Sequence, residues 1–288
     1  MTVETVVYHD KTYPEGWINS NHSSLIAAHF NQNSFRVLDA VQLREFILDA
    51  IDKRISHTKI VVFSQDMVPE TVCEEEHSNT LFRQFLDNGG NVIWLGDIPL
   101  FYIGVKNARS HAQCRQAWRV GAPVYMLGIV PIFSSTIRSV DFKPLGRILG
   151  LRHHWTSARP VLKDETMFSL ATSKNLGSDY YINIPPAPTL RNRIWRKLRG
   201  IEGSIELPGF GLKIGIPPME QDDDGNEDTT QMRSRLYETH LAAWIKNYNK
   251  DFPLCGFARI WDYIPRSMPQ WMLDELLSFA NNIEKRIA

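Results

Sequence analysis

The sequence predicts a doubly wound α/β fold with a mainly parallel sheet and an irregular middle insertion, on three observations. Short apolar runs alternate with amphipathic stretches through the first 104 residues, the rhythm of βαβ units. Residues 78–104, SNTLFRQFLDNGGNVIWLGDIPLFYIG, hold a whole helix, turn and strand, and Val92, Ile93, Trp94 and Leu95 are continuously apolar, as in a strand covered on both faces. Polar residues close each of these strands, and in open α/β sheets the carboxyl ends of the strands are where ligands bind.

Taken in order, residues 5–10, TVVYHD, predict a first strand with His9 and Asp10 at its exit. Residues 11–21 predict a loop around Pro14, Gly16, Trp17 and Asn19, and residues 22–30 a helix with Leu25, Ile26, His29 and Phe30 on one face. Residues 35–39, FRVLD, predict the second strand. Residues 41–54 form the clearest helical pattern, since Leu43, Phe46, Ile47, Ala50 and Ile51 recur at three and four residues. KIVVF at 59–63 is a third strand that runs into Ser64, Gln65 and Asp66. In the stretch at 78–104, Ser78 is the expected N-cap and Gly89-Gly90 the helix exit.

Beyond residue 104 the pattern loosens. Residues 107–116 read as helix, 122–130 (APVYMLGIV) as strand and 143–149 as a short helix, while the Gly- and Pro-rich 200–218 reads as a hairpin or meander. Residues 105–220 are expected to form an inserted or cap region, and 221–230, QDDDGNEDTT, a mobile acidic loop. Residues 232–248 read as helix, GFARIW at 256–261 as a late strand ending in Asp262, and 269–287 as an amphipathic terminal helix. No linker divides residues 1–288, so one domain is expected.

Composition narrows the partners. Lys plus Arg and Asp plus Glu both total 32, so the formal net charge is zero and no global field draws the chain to nucleic acid or to an anionic membrane. No apolar run is long enough for a membrane span and no secretory leader stands at the N-terminus, which leaves the cytoplasm as the expected location. Cys73, Cys114 and Cys255 are widely spaced and contain no CxxC, a pattern of free thiols. The basic segment 191–199, with Arg191, Arg193, Arg196, Lys197 and Arg199 around Trp195, fits a solvated helix face better than a phosphate track. No GxGxxG follows a strand and no P-loop occurs, so no cofactor is indicated. Adjacent His153 and His154 point in different directions and lack a third ligand, so no metal is expected, and Cys114 near His111 reads as an incidental thiol.

Function is expected at the strand ends. If the strands run parallel, His9-Asp10, Asp39, Ser64-Gln65-Asp66, Gly96-Asp97 and Asp262 share one rim, although Asp after a strand also caps helices and turns. Carboxylates there, with Gln65, His9 and Trp17 or Trp261, suit recognition of hydroxyls, or chemistry with Asp97 or Asp66 as base or nucleophile. Ligand contacts are expected from His9, Asp10, Trp17, Gln65, Gly96 and Asp262.

Residues 5–104, and with them 256–287, resemble the class I glutamine amidotransferase-like superfamily, through the run of strand, helix, Gly-Gly, strand and sharp turn. The resemblance implies a flavodoxin-like sheet. Where catalytic members carry a Gly-x-Cys-x-Gly elbow, this chain reads Leu95-Gly96-Asp97-Ile98-Pro99, and where their triad His and Glu follow the late strands it reads Arg259, Ile260, Trp261 and Asp262. The resemblance thus implies a member without the cysteine machinery, a noncatalytic ligand-sensing or assembly module binding a nucleotide or sugar. The alternative is a hydrolase or glycosidase-like enzyme working through the strand-end carboxylates. A third reading is protein contact through apolar surface near Trp118 or Trp271.

Overall fold

The computed structural model describes residues 2–18, 20–74, 79–134, 138–157, 159–173, 180–184, 212–214, 240–252, 255–262 and 268–288. In chain order the first part runs β1 (Glu4–Tyr8), α1 (Ser20–Gln32), β2 (Arg36–Leu38), α2 (Ala40–Asp52), β3 (Lys59–Phe63), β4 (Val68–Pro69), α3 (Leu81–Asp87), β5 (Asn91–Leu95) and β6 (Ile103–Gly104). It continues through α4 (Ala122–Leu127), β7 (Val130–Ser134), β8 (Arg138–Phe142), α5 (Pro144–Ile148), β9 (Thr156–Ser157), β10 (Val161–Leu162), β11 (Met167–Ser173) and β12 (Tyr180–Ile184). Then come β13 (Leu212–Ile214), β14 (His240–Lys246), β15 (Phe257–Trp261) and α6 (Gln270–Ile287).

β2, β1, β3, β5 and β15 pair in that order, every pair parallel. β14 then pairs antiparallel with β15 and joins further strands to this block, with β10, β7, β12 and β13 beyond it and β11, β8 and β9 branching from it, while β4 and β6 pair with each other in a separate two-stranded sheet. The chain is therefore α/β with a mixed central sheet, and its parallel block is built from the segments that the sequence marks most clearly. From β1 the chain goes by α1 to β2 on one side, and from β3 by α3 to β5 on the other. The carboxyl ends of β1 and β3 thus flank a point where the chain diverges.

Alternation along the strands feeds two cores. Val6, Tyr8, Val61, Phe63, Val92 and Trp94 pack with α2 and α3 through Leu43, Ile47, Phe82 and Phe85. Val7, Ile60, Val62, Ile93 and Leu95 pack with α1 and α6 through Ile26, Phe30, Leu276 and Phe279. Each such large apolar side chain contributes roughly 1.5–3 kcal/mol by leaving water. Asp39 starts α2 with a capping box, accepting from the Val41 and Gln42 N–H groups while the Gln42 side chain returns to the Asp39 N–H. Thr80 caps α3 through the Arg83 N–H; Ser78, the expected cap, lies outside the described residues.

Several expected elements are corrected. Residues 122–127 are helix, not strand: left-handed Gly121 and Gly128 bound a single short helix with Pro123 in its first turn, and the strand begins only at Val130. Residues 240–246 are strand, not helix: HLAAWIK is buried at every position, and its continuous apolar middle, LAAWI, carries no period to tell one from the other. Of the helix expected at 107–116 only a tight turn at His111–Gln113 forms. The short helix expected at 143–149 is present as α5. Of 200–218 only β13 is described, and the basic segment 191–199 and acidic loop 221–230 fall outside the described residues.

Candidate functional site at the carboxyl edge

Parallel register brings His9, Asp10, Asp39, Gln65, Asp66, Gly96, Asp97 and Asp262 to one rim, as the sequence pattern requires. The rim has two halves with different chemistry.

In the half formed by β2, β1 and β3, side chains hold main chain. The Gln65 amide oxygen accepts from the Asp10 N–H at 2.7 Å, and its NH2 donates to the Asp10 and Tyr13 carbonyls at 3.1 Å each. Asp66 accepts the successive N–H groups of Gly16 at 2.8 Å, Trp17 at 2.6 Å and Ile18 at 3.2 Å, so both its oxygens are engaged. Gly16 permits this approach, since a Cβ there would sit 3.1 Å from Asp66 Oδ2. Burial pushes the Asp66 carboxyl up to about 6 against the pull of those three donors. Asp10 accepts from the Thr12 N–H and hydroxyl and from the Ala40 N–H. Burial pulls its pKa upward, yet the Thr12 and Ala40 hydrogen bonds outweigh that and hold it below the ordinary carboxylate value.

His9 stands apart from this stapling. Its Nδ1 lies 3.2 Å from the Ser64 hydroxyl, which donates its own proton to the Tyr8 carbonyl at 2.8 Å. Nδ1 therefore carries the hydrogen and Nε2 the lone pair, and Nε2 is buried with no hydrogen-bond partner among the described residues. Burial lowers the His9 pKa, which favours the neutral ring. Trp17, on the stapled loop, is 56% exposed and stacks on His111 at 5.6 Å, with Phe101 edge-on at 6.1 Å.

In the half formed by β5 and β15, carboxylates face guanidinium groups. Gly96, at φ +92°, turns the chain so that Asp97 Oδ1 accepts from the Ile98 N–H at 2.7 Å and lies 3.6 Å from Arg159 Nε. Its other oxygen accepts no hydrogen bond among the described residues. Burial raises the Asp97 pKa, opposed by Arg159. Asp262 accepts from Trp155 Nε1 at 2.8 Å, the Ser157 hydroxyl at 2.5 Å and the Arg159 N–H at 2.7 Å. Arg259 lies fully buried on β15 with its guanidinium carbon 5.8 Å from the Trp244 ring centre, its Nη2 donating to the Arg159 carbonyl and standing 4.0 Å from Asp262 Oδ2. Its Nε and Nη1 have no partner among the described residues.

Arg159, Arg259, Trp155 and Ser157 stand in the candidate site, and the sequence did not single them out. Arg259 left a signal, the one charged residue in the otherwise apolar strand FARIW. Arg159 left none, because only the tertiary fold carries Trp155, Ser157 and Arg159 to this edge. Trp261 is buried in the core and does not reach the rim as a ligand contact. His153 Nδ1 lies 2.5 Å from Glu275 Oε2, whereas His154 Nδ1 donates to the Val140 carbonyl, so the two rings diverge, one onto Trp271 and the other onto Phe142. Cys73, Cys114 and Cys255 are buried and in no disulfide among the described residues, and burial raises the Cys114 pKa. No helix among the described residues is long and apolar enough to cross a membrane.

The MJECL34 family model matches residues 3–176, which takes in the first four parallel strands, Asp97 and Arg159. The uncharacterized protein MJECL34 of Methanocaldococcus jannaschii is 30% identical over 157 residues, 54% of this chain and 50% of that protein. The match thus spans about half the length of that curated relative. No solved structure matches the chain. These findings overturn the resemblance to glutamine amidotransferase-like proteins: the region that carried it, residues 5–104, lies inside the MJECL34 match, and neither finding points to that superfamily.

Proposed function

The chain belongs to the MJECL34 family, and from that premise we propose that it is a noncatalytic ligand-sensing or assembly module that binds a small polar molecule at the carboxyl edge of its parallel strands. The observation that carries this reading is the β5 and β15 half of the rim, where Asp97 has an oxygen without a hydrogen bond among the described residues and the buried Arg259 has two donors without partners among them. Buried donors without acceptors are costly, of order 1–3 kcal/mol each, and a polar ligand supplies what they lack. The pairing order β2, β1, β3, β5, β15 supports a flavodoxin-like arrangement, in which ligands sit at this edge. The stapled carboxylates of the other half favour binding over catalysis, since Asp66 offers no free oxygen for attack.

The test is a thermal-shift screen of nucleotides, sugars and other small polar metabolites against the wild type, Asp97→Asn and Arg159→Gln. A ligand that binds only the native state raises the melting temperature of the wild type and loses that effect in both variants. A hit that stabilises all three proteins equally places binding elsewhere and ends the proposal. One observation favours the hydrolase or glycosidase-like alternative: burial raises the pKa of Asp97, as suits a general acid or base. Under that reading, Asp97→Asn abolishes turnover of a bound substrate while binding survives.

A further inference from the structure

We propose that the half of the rim carrying Trp17 binds single-stranded nucleic acid, with a base on the exposed Trp17 ring and phosphates on Lys11, Lys106 and Arg109. It is the other half of the rim from Asp97, and the proposal does not depend on the small-molecule reading.

An exposed ring on a fixed loop comes first. Trp17 is 56% exposed, more than Trp271 or Phe168, although large aromatic surface is what a fold ordinarily buries. The loop beneath it is not loose. Asp66 accepts the N–H groups of Gly16, Trp17 and Ile18, Ile18 itself is buried, and the Asn107 N–H donates to the Thr12 carbonyl at 2.7 Å. The ring is therefore presented to solvent by a backbone already ordered, and a partner that stacks on it meets little of the ordering cost.

The ring also has neighbours of its own kind. His111 stacks on Trp17 at 5.6 Å, and Phe101, 6.1 Å from Trp17, stacks in turn on Trp118 at 5.1 Å. His111, Phe101 and Trp118 are each partly exposed. Rings in a row give a planar group a backed face, and nucleobases of every kind stack on aromatic side chains.

Charge decides among planar partners. Lys11, Lys106 and Arg109 are exposed on the two loops that the bond from Asn107 to Thr12 joins, and none of them forms an ion pair among the described residues. The acids beside them are turned to main chain: Asp10 accepts from the Thr12 and Ala40 N–H groups, and Glu70 from the Lys106 N–H. From Ile98 to Arg119 the sequence holds four basic residues and no acidic one, a local excess inside a chain of zero net charge. Of these, Arg115 donates to the Cys73 and Glu74 carbonyls and takes no part. A sugar leaves the cations unmatched, and an acidic peptide leaves the flat ring unmatched. A polynucleotide meets both, because its successive phosphates reach cations on both loops.

Fluorescence anisotropy on the full chain tests this with labelled single-stranded DNA and RNA of about a dozen nucleotides, the matching duplex, and unlabelled mononucleotides as competitors, each across a salt series. The expected result is that a single strand binds more tightly than the duplex and that mononucleotides compete poorly. Trp17→Ala should weaken the strand about tenfold, Trp17→Phe should restore most of that loss, and Trp271→Ala, the loss of an exposed ring elsewhere, should change nothing. Lys106→Gln combined with Arg109→Gln should flatten the slope of log affinity against log salt by about 1.4, roughly 0.7 for each phosphate contact. These side chains are exposed, so the variants are expected to fold, and melting curves without nucleic acid check that. The proposal is overturned if no strand binds at low salt, if binding is indifferent to either Trp17→Ala or the double substitution, or if a mononucleotide displaces the strand mole for mole. None of these results bears on Asp97.

Discussion

Two halves of one rim use the same residue type in different ways. Where β2, β1 and β3 end, Asp10, Asp39 and Asp66 accept backbone N–H groups of the segments that follow or overlie them. Where β5 and β15 end, Asp97 and Asp262 face Arg159 and Arg259, and donors and an acceptor remain unmet. A carboxylate at a strand end is thus not by itself a site. What distinguishes a cap from a candidate site is whether main chain or cationic side chains reach it first. The halves meet at Gly96, where a Cβ would come within 3.2 Å of both the Asp66 Cβ and the Ile18 Cγ1.

The largest expected effect bears on the charged half. Asp262→Ala should cost about 4 kcal/mol in denaturant unfolding, because it leaves Arg259 buried without its nearest carboxylate and unpairs Trp155 and Ser157. A loss near that of an ordinary cap would erase the distinction between the halves.

The next effect lies in the stapled half and depends on pH. The Asp66 carboxyl stands at about 6 in the fold against 3.8 ordinarily, so the folded chain holds this proton more tightly than the unfolded one. Its contribution to stability is complete below pH ~4 and is lost as pH rises through ~6, a swing of about 3 kcal/mol. Unfolding curves from pH 4 to 7 should show the wild type losing ground to Asp66→Asn as pH rises; parallel curves would show that the three N–H donors hold the carboxylate at its ordinary affinity for protons.

The smallest effect is the plainest cap. Asp39→Ala removes the capping box of α2 and should cost about 1 kcal/mol with no change in ligand binding. A binding defect in that variant would extend the candidate site across the whole rim.

Much of the parallel block was legible because its signals are local. Continuous apolar runs marked β3 and β5, three-and-four spacing marked α2, and polar residues closing each run placed the rim. That an Asp after a strand can cap a helix was legible as well, and Asp39 does so, although Gln42, which completes its capping box, was not singled out. What the sequence hid was tertiary. Nothing in residues 155–159 announces that Trp155, Ser157 and Arg159 converge on Asp262 from more than 100 positions away. HLAAWIK hid its strand because a sheet that buries both faces removes the alternation by which strands are recognised. The helix at 122–127 was legible in principle, in Gly121, Pro123 and Gly128, but its apolar content outweighed those boundary marks.

β2 ends the parallel block with three residues, and Arg36, its first, is solvent-exposed and salt-bridged to Glu4 at 3.4 Å. A margin that brief, with a fixed cation on it, gives an unrelated chain few free amides to zip against. The same brevity guards the protein against fibril growth from this side, so lengthening the margin or neutralising Arg36 would be the route by which a well-folded molecule begins to polymerise.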